Sequence, residues 1–271
     1  MLVSVKKGCG RNIRKHFHKV DIIIHKFMKT RMMKSGLIEN IKDIYRRMSH
    51  AAMRVERNPE DVKLVAVTKN VNIDIIKEAL DWGLRIFGES RVQEAKEKIE
   101  ELSRFTYDTL PFTKISWHLV GHLQRNKAKT AVQLFDLIHS LDSLELAKEL
   151  ERHAAKAGKI QRVLIQVKLS EEETKHGAHR EDVVDLISAV SQLKNLKIEG
   201  LMTIPPFFDD PENARPYFRE LRELMNKINK LRITDYELRE LSMGMTHDFE
   251  VAIEEGATIV RIGTGIFGER Q

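Results

Sequence analysis

A chain of 271 residues, 42% of them hydrophobic, has apolar material for one large α/β barrel or two smaller domains. Its single cysteine, Cys9, excludes an internal disulfide and makes a reducing cytoplasm the expected setting. The formal charge of +6 does not point to nucleic acid: residues 1–33 hold nine Lys or Arg against Asp21 alone, a surplus of +8, and the remainder stands at −2.

The basic stretch reads most simply as an extension outside the packed domain, or as sequence upstream of a natural start at Met28, Met32 or Met33. A targeting peptide or a basic arm for an anionic partner is the alternative. Its longest apolar run, Ile22 to Ile24, is too short to span a membrane, and Asp21 interrupts any secretory core. The domain itself is expected over residues 34–271.

Within that domain, helix and strand signals alternate with short turns. Residues 36–56 predict an amphipathic helix, with Leu37, Ile41, Ile44 and Met48 at helical spacing. The apolar run Leu64 to Thr68 predicts a first strand that ends on Lys69. Ile73 to Trp82 follows as a helix stopped by Gly83, then Leu84 to Gly88 as strand and Arg91 to Leu102 as helix. Ile115 to Gly121 is the third strand, residues 126–135 a helix, and Leu137 to Leu141 the fourth strand. Asp142 with Glu145 predicts a capping box opening a helix that Gly158 closes. Arg162 to Leu169, Lys197 to Ile204, Leu238 to Met243 and Thr258 to Ile262 complete the strands. Helices over 181–193, 211–231 and 246–255 separate them.

Eight strands alternating with helices, with no linker between them, predict a single (β/α)8 barrel in preference to a doubly wound sheet. Gly263-Thr-Gly265-Ile-Phe-Gly268 spells a dinucleotide fingerprint, but no second strand or downstream acid follows, so a Rossmann reading fails.

Barrel chemistry gathers at the C-terminal strand tips. The tips here offer Lys69; Glu89 and Ser90; Gly121 and His122; Asp142; and, at the last two strands, Ser242, Met243, Gly244, Arg261, Gly263 and Thr264. Ser242 to Thr246, leading into a helix, and Arg261 to Gly265, joining a cation to a flexible backbone, have the chemistry of a phosphate site. A strand-tip lysine in an apolar mouth is a nucleophile for a carbonyl compound. Together they call for a phosphorylated aldehyde or ketone, and pyridoxal phosphate and sugar phosphates both fit. The eleven histidines show no metal pattern, since His118 and His122 straddle a predicted strand end, so no metal site is expected. Lys175-His176-Gly177 reads equally as a surface loop or a contact.

Six motifs occur in order: Val65 to Lys69, Phe87 to Glu94, Trp117 to Lys127, Gly200 to Pro205, Leu241 to Met245 and Val260 to Gly268. Together they resemble the pyridoxal phosphate homeostasis proteins, also called YggS-like or proline synthetase co-transcribed proteins, over residues 36–270. The resemblance implies a fold type III barrel similar to the N-terminal domain of alanine racemase. Lys69 would be the Schiff-base lysine; Ser242, Gly263 and Thr264 would hold the phosphate; Arg261 would lie close to the cofactor. Met202 and Met243 would be pocket walls. Ser90 replaces the asparagine of the family's Phe-Gly-Glu-Asn motif, and its shorter hydroxyl loses reach and one donor.

The family is associated with vitamin B6 homeostasis as a cofactor carrier or buffer without established catalysis, usually as a monomer. Apo-enzymes that use the cofactor would be its partners. A racemase-like enzyme or a lysine aldolase is the alternative. A racemase needs a base on each face of its substrate, and Tyr45, Tyr107, Tyr217 and Tyr236 all lie away from the predicted strand tips.

Overall fold

The structure, a computed structural model, describes residues 36–109, 114–170, 172 and 176–269. The basic extension 1–33 and Lys175 lie outside the described residues.

The strands are β1 (Lys63–Val67), β2 (Ile86–Glu89), β3 (Ser116–Leu119), β4 (Leu137–Leu141), β5 (Gln161–Lys168), β6 (Ala178–His179), β7 (Leu196–Met202), β8 (Glu240–Ser242) and β9 (Ile259–Ile262). Every pairing is parallel, in the order β4-β3-β2-β1-β9-β8-β7-β5, and β5 pairs back to β4. The sheet therefore closes into the expected eight-stranded barrel, which removes every long free edge. The two-residue β6 lies outside the ring, paired to β5 through Val167 with Ala178 and Lys168 with His179.

The helices are α1 (36–54), α2 (Ile73–Asp81), α3 (Val92–Thr109), α4 (Ala128–Leu134), α5 (Leu144–Lys156), α6 (Val183–Ser191), α7 (Arg215–Leu231), α8 (Phe249–Glu254) and α9 (Thr264–Phe267). Period-2 strands divide the core in two. Val65, Val120, Leu137, Leu164, Met202 and Ile259 fill the barrel interior. The alternate strand residues, such as Leu64, Ala66, Phe87, Leu119, Leu201 and Val260, pack outward against the helices.

α1 buries Leu37, Ile41, Ile44 and Met48 and fastens the first helix to the last elements. Asn40 Nδ2 donates to the Ile266 carbonyl at 3.0 Å, and Arg47 NH2 to Glu250 Oε2 at 2.8 Å. Beyond α1, Arg57 donates to the carbonyls of Ile253 and Ala257 at 2.6 and 2.9 Å.

Several local expectations change. The capping box does not form: the N-cap of α5 is Ser143, without a side-chain cap bond, and Asp142 accepts from Ser143 Oγ at 3.2 Å. Residues 211–231 split into a 3-10 turn, Pro211–Ala214, and α7, with Asp210 accepting from Glu212 N at the start. α9, one turn, lies within the glycine motif, where the sequence predicts no helix; Asn40 on Ile266 and Thr246 Oγ1 beneath Gly265 N supply tertiary support that local sequence cannot show.

Candidate functional site at the barrel mouth

Val65 and Val67 face the barrel interior, and Lys69 continues that inward row two residues past the end of β1. The residues on either side of it are pinned. Thr68 N donates to the Gly88 carbonyl at 2.9 Å and Thr68 Oγ1 to Glu89 Oε1 at 2.6 Å. Asn70 holds φ at +59° while its N–H donates to Glu94 Oε1 at 2.6 Å. Lys98, one α3 turn after Glu94, spends its three donors on the Thr68 carbonyl, Glu89 and Glu94, at 2.6, 2.8 and 2.6 Å. Lys69 itself is half-buried, and among the described residues its amine carries no hydrogen bond or ion pair. The fold fixes the backbone and leaves the amine free.

Glu89 corrects the sequence reading. It stands at a strand tip but on the outward face with Phe87, fully buried between strand and helix. Burial pushes its carboxyl above the usual range, and the hydrogen bonds from Lys98 and Thr68 pull it back. Because a left-handed non-glycine residue costs about 1–2 kcal/mol unless its side chain helps, Asn70→Ala is expected to destabilise by about 1 kcal/mol and Asn70→Gly to be nearly neutral. Urea unfolding of the two variants checks this, and equal losses would sink the backbone argument.

Beneath the mouth runs a buried polar column. Arg261, inward on β9, donates through NH1 to Ser242 Oγ at 2.6 Å and through NH2 to the Thr203 carbonyl at 2.9 Å. Ser242 Oγ meets His139 Nδ1 at 2.8 Å, and His139 Nε2 meets His118 Nδ1 at 3.0 Å. Since Arg261 already donates into the serine oxygen, all partners are satisfied when the Ser242 hydroxyl donates to His139 Nδ1 and His139 Nε2–H donates to His118. Burial lowers Arg261 to about 10, partly offset by Asp248, so it remains a cation at neutral pH.

Burial, reinforced by Arg162, lowers His118 to about 4, and burial with its cationic neighbours lowers His139 well below the ordinary value. Both are neutral in the fold. Lowered histidine pKa values give stability that is present above about pH 6.5 and lost as pH falls. Unfolding free energy is therefore expected to fall with a slope approaching 1.4 kcal/mol per pH unit per histidine between pH 6.5 and 5. Urea titrations should show a shallower slope for His118→Asn; equal slopes would refute the assignment.

The column changes what Ser242 offers. Its hydroxyl is bound inside the barrel and is not exposed to the mouth. The helix after it starts late: α8 begins only at Phe249, behind the buried Asp248, whose Oδ1 accepts from Met245 N at 2.6 Å. At the β9 tip the exposed Thr264 and half-buried Thr246 hydroxyls lie 3.2 Å apart, beside the half-buried Gly263. Thr246 closes the stretch read from the sequence as a phosphate motif, in which Ser242 is the residue singled out.

Met202 lies in the barrel interior, whereas Met243 packs in the strand–helix layer, away from the mouth, because neighbouring β8 residues point to opposite faces. Ser90, on the inward row of β2, sits against Gly121: a Cβ there would stand 2.3 Å from the Ser90 carbonyl oxygen, so only glycine lets these two tips meet. His118 and His122 part company, His118 into the column and His122 to the rim. There His122 meets Asp142 and His176, a grouping no local spacing announces.

Residues 40–271 match the family described as alanine racemase, N-terminal domain. The pyridoxal phosphate homeostasis protein of Aquifex aeolicus is 44% identical over 233 residues, covering 86% of this chain and 98% of that protein. A solved protein from Bifidobacterium adolescentis superposes with a TM-score of 0.81 at 34% identity, over 87% of this chain and 96% of that one. PipY of Synechococcus elongatus, solved with PLP bound, does so with a TM-score of 0.71 at 38% identity, over 83% of this chain and 100% of that one. With a closed parallel barrel, a free lysine at its first strand tip and these relatives, the chain belongs to the pyridoxal phosphate homeostasis protein family.

Proposed function

We propose that this chain binds pyridoxal 5'-phosphate at the barrel mouth through Lys69 and serves cytoplasmic vitamin B6 homeostasis as a carrier, without catalysis of its own. The observation that carries the reading is the pairing of β1 with β9. Ala66 stands opposite Ile262, so the free Lys69 amine and the Arg261–Gly263–Thr264 tip rise side by side. The donor set fits the cofactor: an amine for its aldehyde, Thr246 and Thr264 hydroxyls for its phosphate, a buried cation beneath, and an interior of Val65, Val120 and Met202 for its ring face. When bound, the cofactor supplies an electrophilic aldehyde on an electron-poor ring.

The chain's own residues do the rest. Thr68 and Asn70 hold the turn, Lys69 supplies the anchoring amine, and Gly263 lets the backbone approach. Arg261 sets a positive charge, and Ser242 acts through Arg261 and not on the phosphate. Ser90 reaches less far than the family's asparagine, which favours looser binding. The carrier reading draws support from the names of the relatives and from the described tyrosines. Tyr45 lies on α1, Tyr217 packs on Phe208, and Tyr236 accepts from Ile198 N at 3.2 Å, so none of the three is offered as a second base beside Lys69. Apo-enzymes would receive the cofactor from a monomer. Among the described residues no helix is long and apolar enough to cross a membrane.

The test is borohydride reduction of the full-length chain after incubation with pyridoxal phosphate, followed by digestion and mass spectrometry. A stoichiometric phosphopyridoxyl mass on the Lys69 peptide is expected, and an adduct spread over surface lysines with none on Lys69 overturns the reading. Amino-acid racemisation or retro-aldol turnover that disappears with Lys69→Ala would overturn the carrier role alone.

A further inference from the structure

We infer that His122, Asp142 and His176 form a site for a divalent transition-metal ion of the zinc class, on the arc of the mouth opposite Lys69. The three residues come from the tips of β3, β4 and the loop after β5, while Lys69 and Arg261 belong to the β1 and β9 side of the ring. One donor atom from each lies within 4.8 Å of the other two. A tetrahedral ion with bonds of about 2.1 Å holds its ligand atoms about 3.4 Å apart. His122 Nδ1 and Asp142 Oδ2 are already 3.5 Å apart, one finished edge of such a site.

The third ligand needs only a side-chain rotation. His122 and His176 stack with centroids 3.8 Å apart and planes 12° apart, and imidazole lone pairs lie in the ring plane, so the stack must fan open for both to face one ion. His176 is exposed and free to turn, yet its backbone is fixed. Gln166 Nε2 donates to its carbonyl at 2.8 Å, and Gly177 beside it takes φ +137°, where a Cβ would lie 2.7 Å from Lys168 N. His122 follows Gly121, wedged on the Ser90 backbone, and Asp142 directly follows β4. Anchored backbones with mobile rings make a site that is preformed in position and closes on its ion.

Two imidazoles and one carboxylate suit zinc, cobalt or nickel more than magnesium or calcium. Three protein ligands leave a coordination position open to solvent, where water or an anionic ligand would complete the shell. None of the three residues takes part in the proposed anchoring of the cofactor, so the two proposals fail separately.

The test uses the full-length chain with zinc as calorimetric titrant and cobalt as optical probe. Residues 1–33 carry Cys9, His16, His18 and His25, which can bind zinc themselves, so the readout is a difference in equivalents. The parent is expected to bind one equivalent more than H122A/H176A and to show tetrahedral cobalt absorption that this variant lacks. Asp142→Asn, which keeps side-chain size, is expected to weaken that equivalent at least ~10-fold. Equal stoichiometry in parent and double variant overturns the proposal, as does an Asp142→Asn protein that binds like the parent. Urea unfolding of the same variants reports that the barrel is intact.

Discussion

Lys69→Ala is expected to abolish the borohydride-fixed adduct while leaving the unfolding free energy within about 1 kcal/mol of the parent. The two effects separate because the amine makes no hydrogen bond or ion pair among the described residues, and the turn that carries it is held by Thr68 and Asn70. Removing the side chain leaves no buried group unpaired. Adduct mass and urea unfolding, measured on one preparation, check both halves. A variant that loses the adduct because it unfolds would contradict the separation.

Lys98→Met is expected to do the reverse. It removes the cation that holds Glu89, Glu94 and the Thr68 carbonyl together and strands a fully buried carboxylate, a change worth about 3–5 kcal/mol. The pH dependence has a definite sign. In the variant, burial pushes Glu89 higher still with the main opposing hydrogen bond gone, so the folded state keeps its proton above the pH at which the unfolded chain releases it, near 4.3. Stability contributed by a raised carboxyl is full below the unfolded value and is lost as pH rises through the folded one. The deficit relative to the parent should therefore be greater at pH 8 than at pH 5. A larger deficit at pH 5 would refute the buried-carboxylate account. With the turn released, adduct formation at Lys69 should fall in parallel without being abolished.

These two lysines also mark the limit of what the sequence discloses. Lys69 is legible because strand alternation is local: five residues show the period, and the sixth shows where it ends. The barrel follows from repeating that reading around the chain, and the six ordered motifs lead to the family. Lys98 is silent, because an amphipathic helix normally shows lysines to solvent and only the β2–α3 packing turns this one toward Glu89 and Thr68. Glu89 and Met243 fail for a related reason: a strand tip has two faces, and the sequence shows the tip without the face. Ser242 reads from the sequence as a phosphate ligand, while its bond to His139 is invisible there, since His139 stands 103 positions away and joins it only across the closed barrel. His122, Asp142 and His176 come together in the same way, from three separate loops whose convergence depends on strand order.

The adjacency of β1 and β9 has a consequence for biogenesis. Lys69 is translated early, while Arg261, Gly263 and Thr264 arrive almost 200 residues later, and Asn40 waits for Ile266 across a separation of 226 positions. During synthesis β1 has β2 on one side and an empty ladder on the other, so the half-formed barrel is an open sheet with an unpaired edge. If Lys69 anchors the cofactor as proposed, a ribosome-bound chain would expose that amine well before the β9 tip could meet a phosphate beside it. Cofactor capture would then be a late event, tied to the same step that seals the barrel.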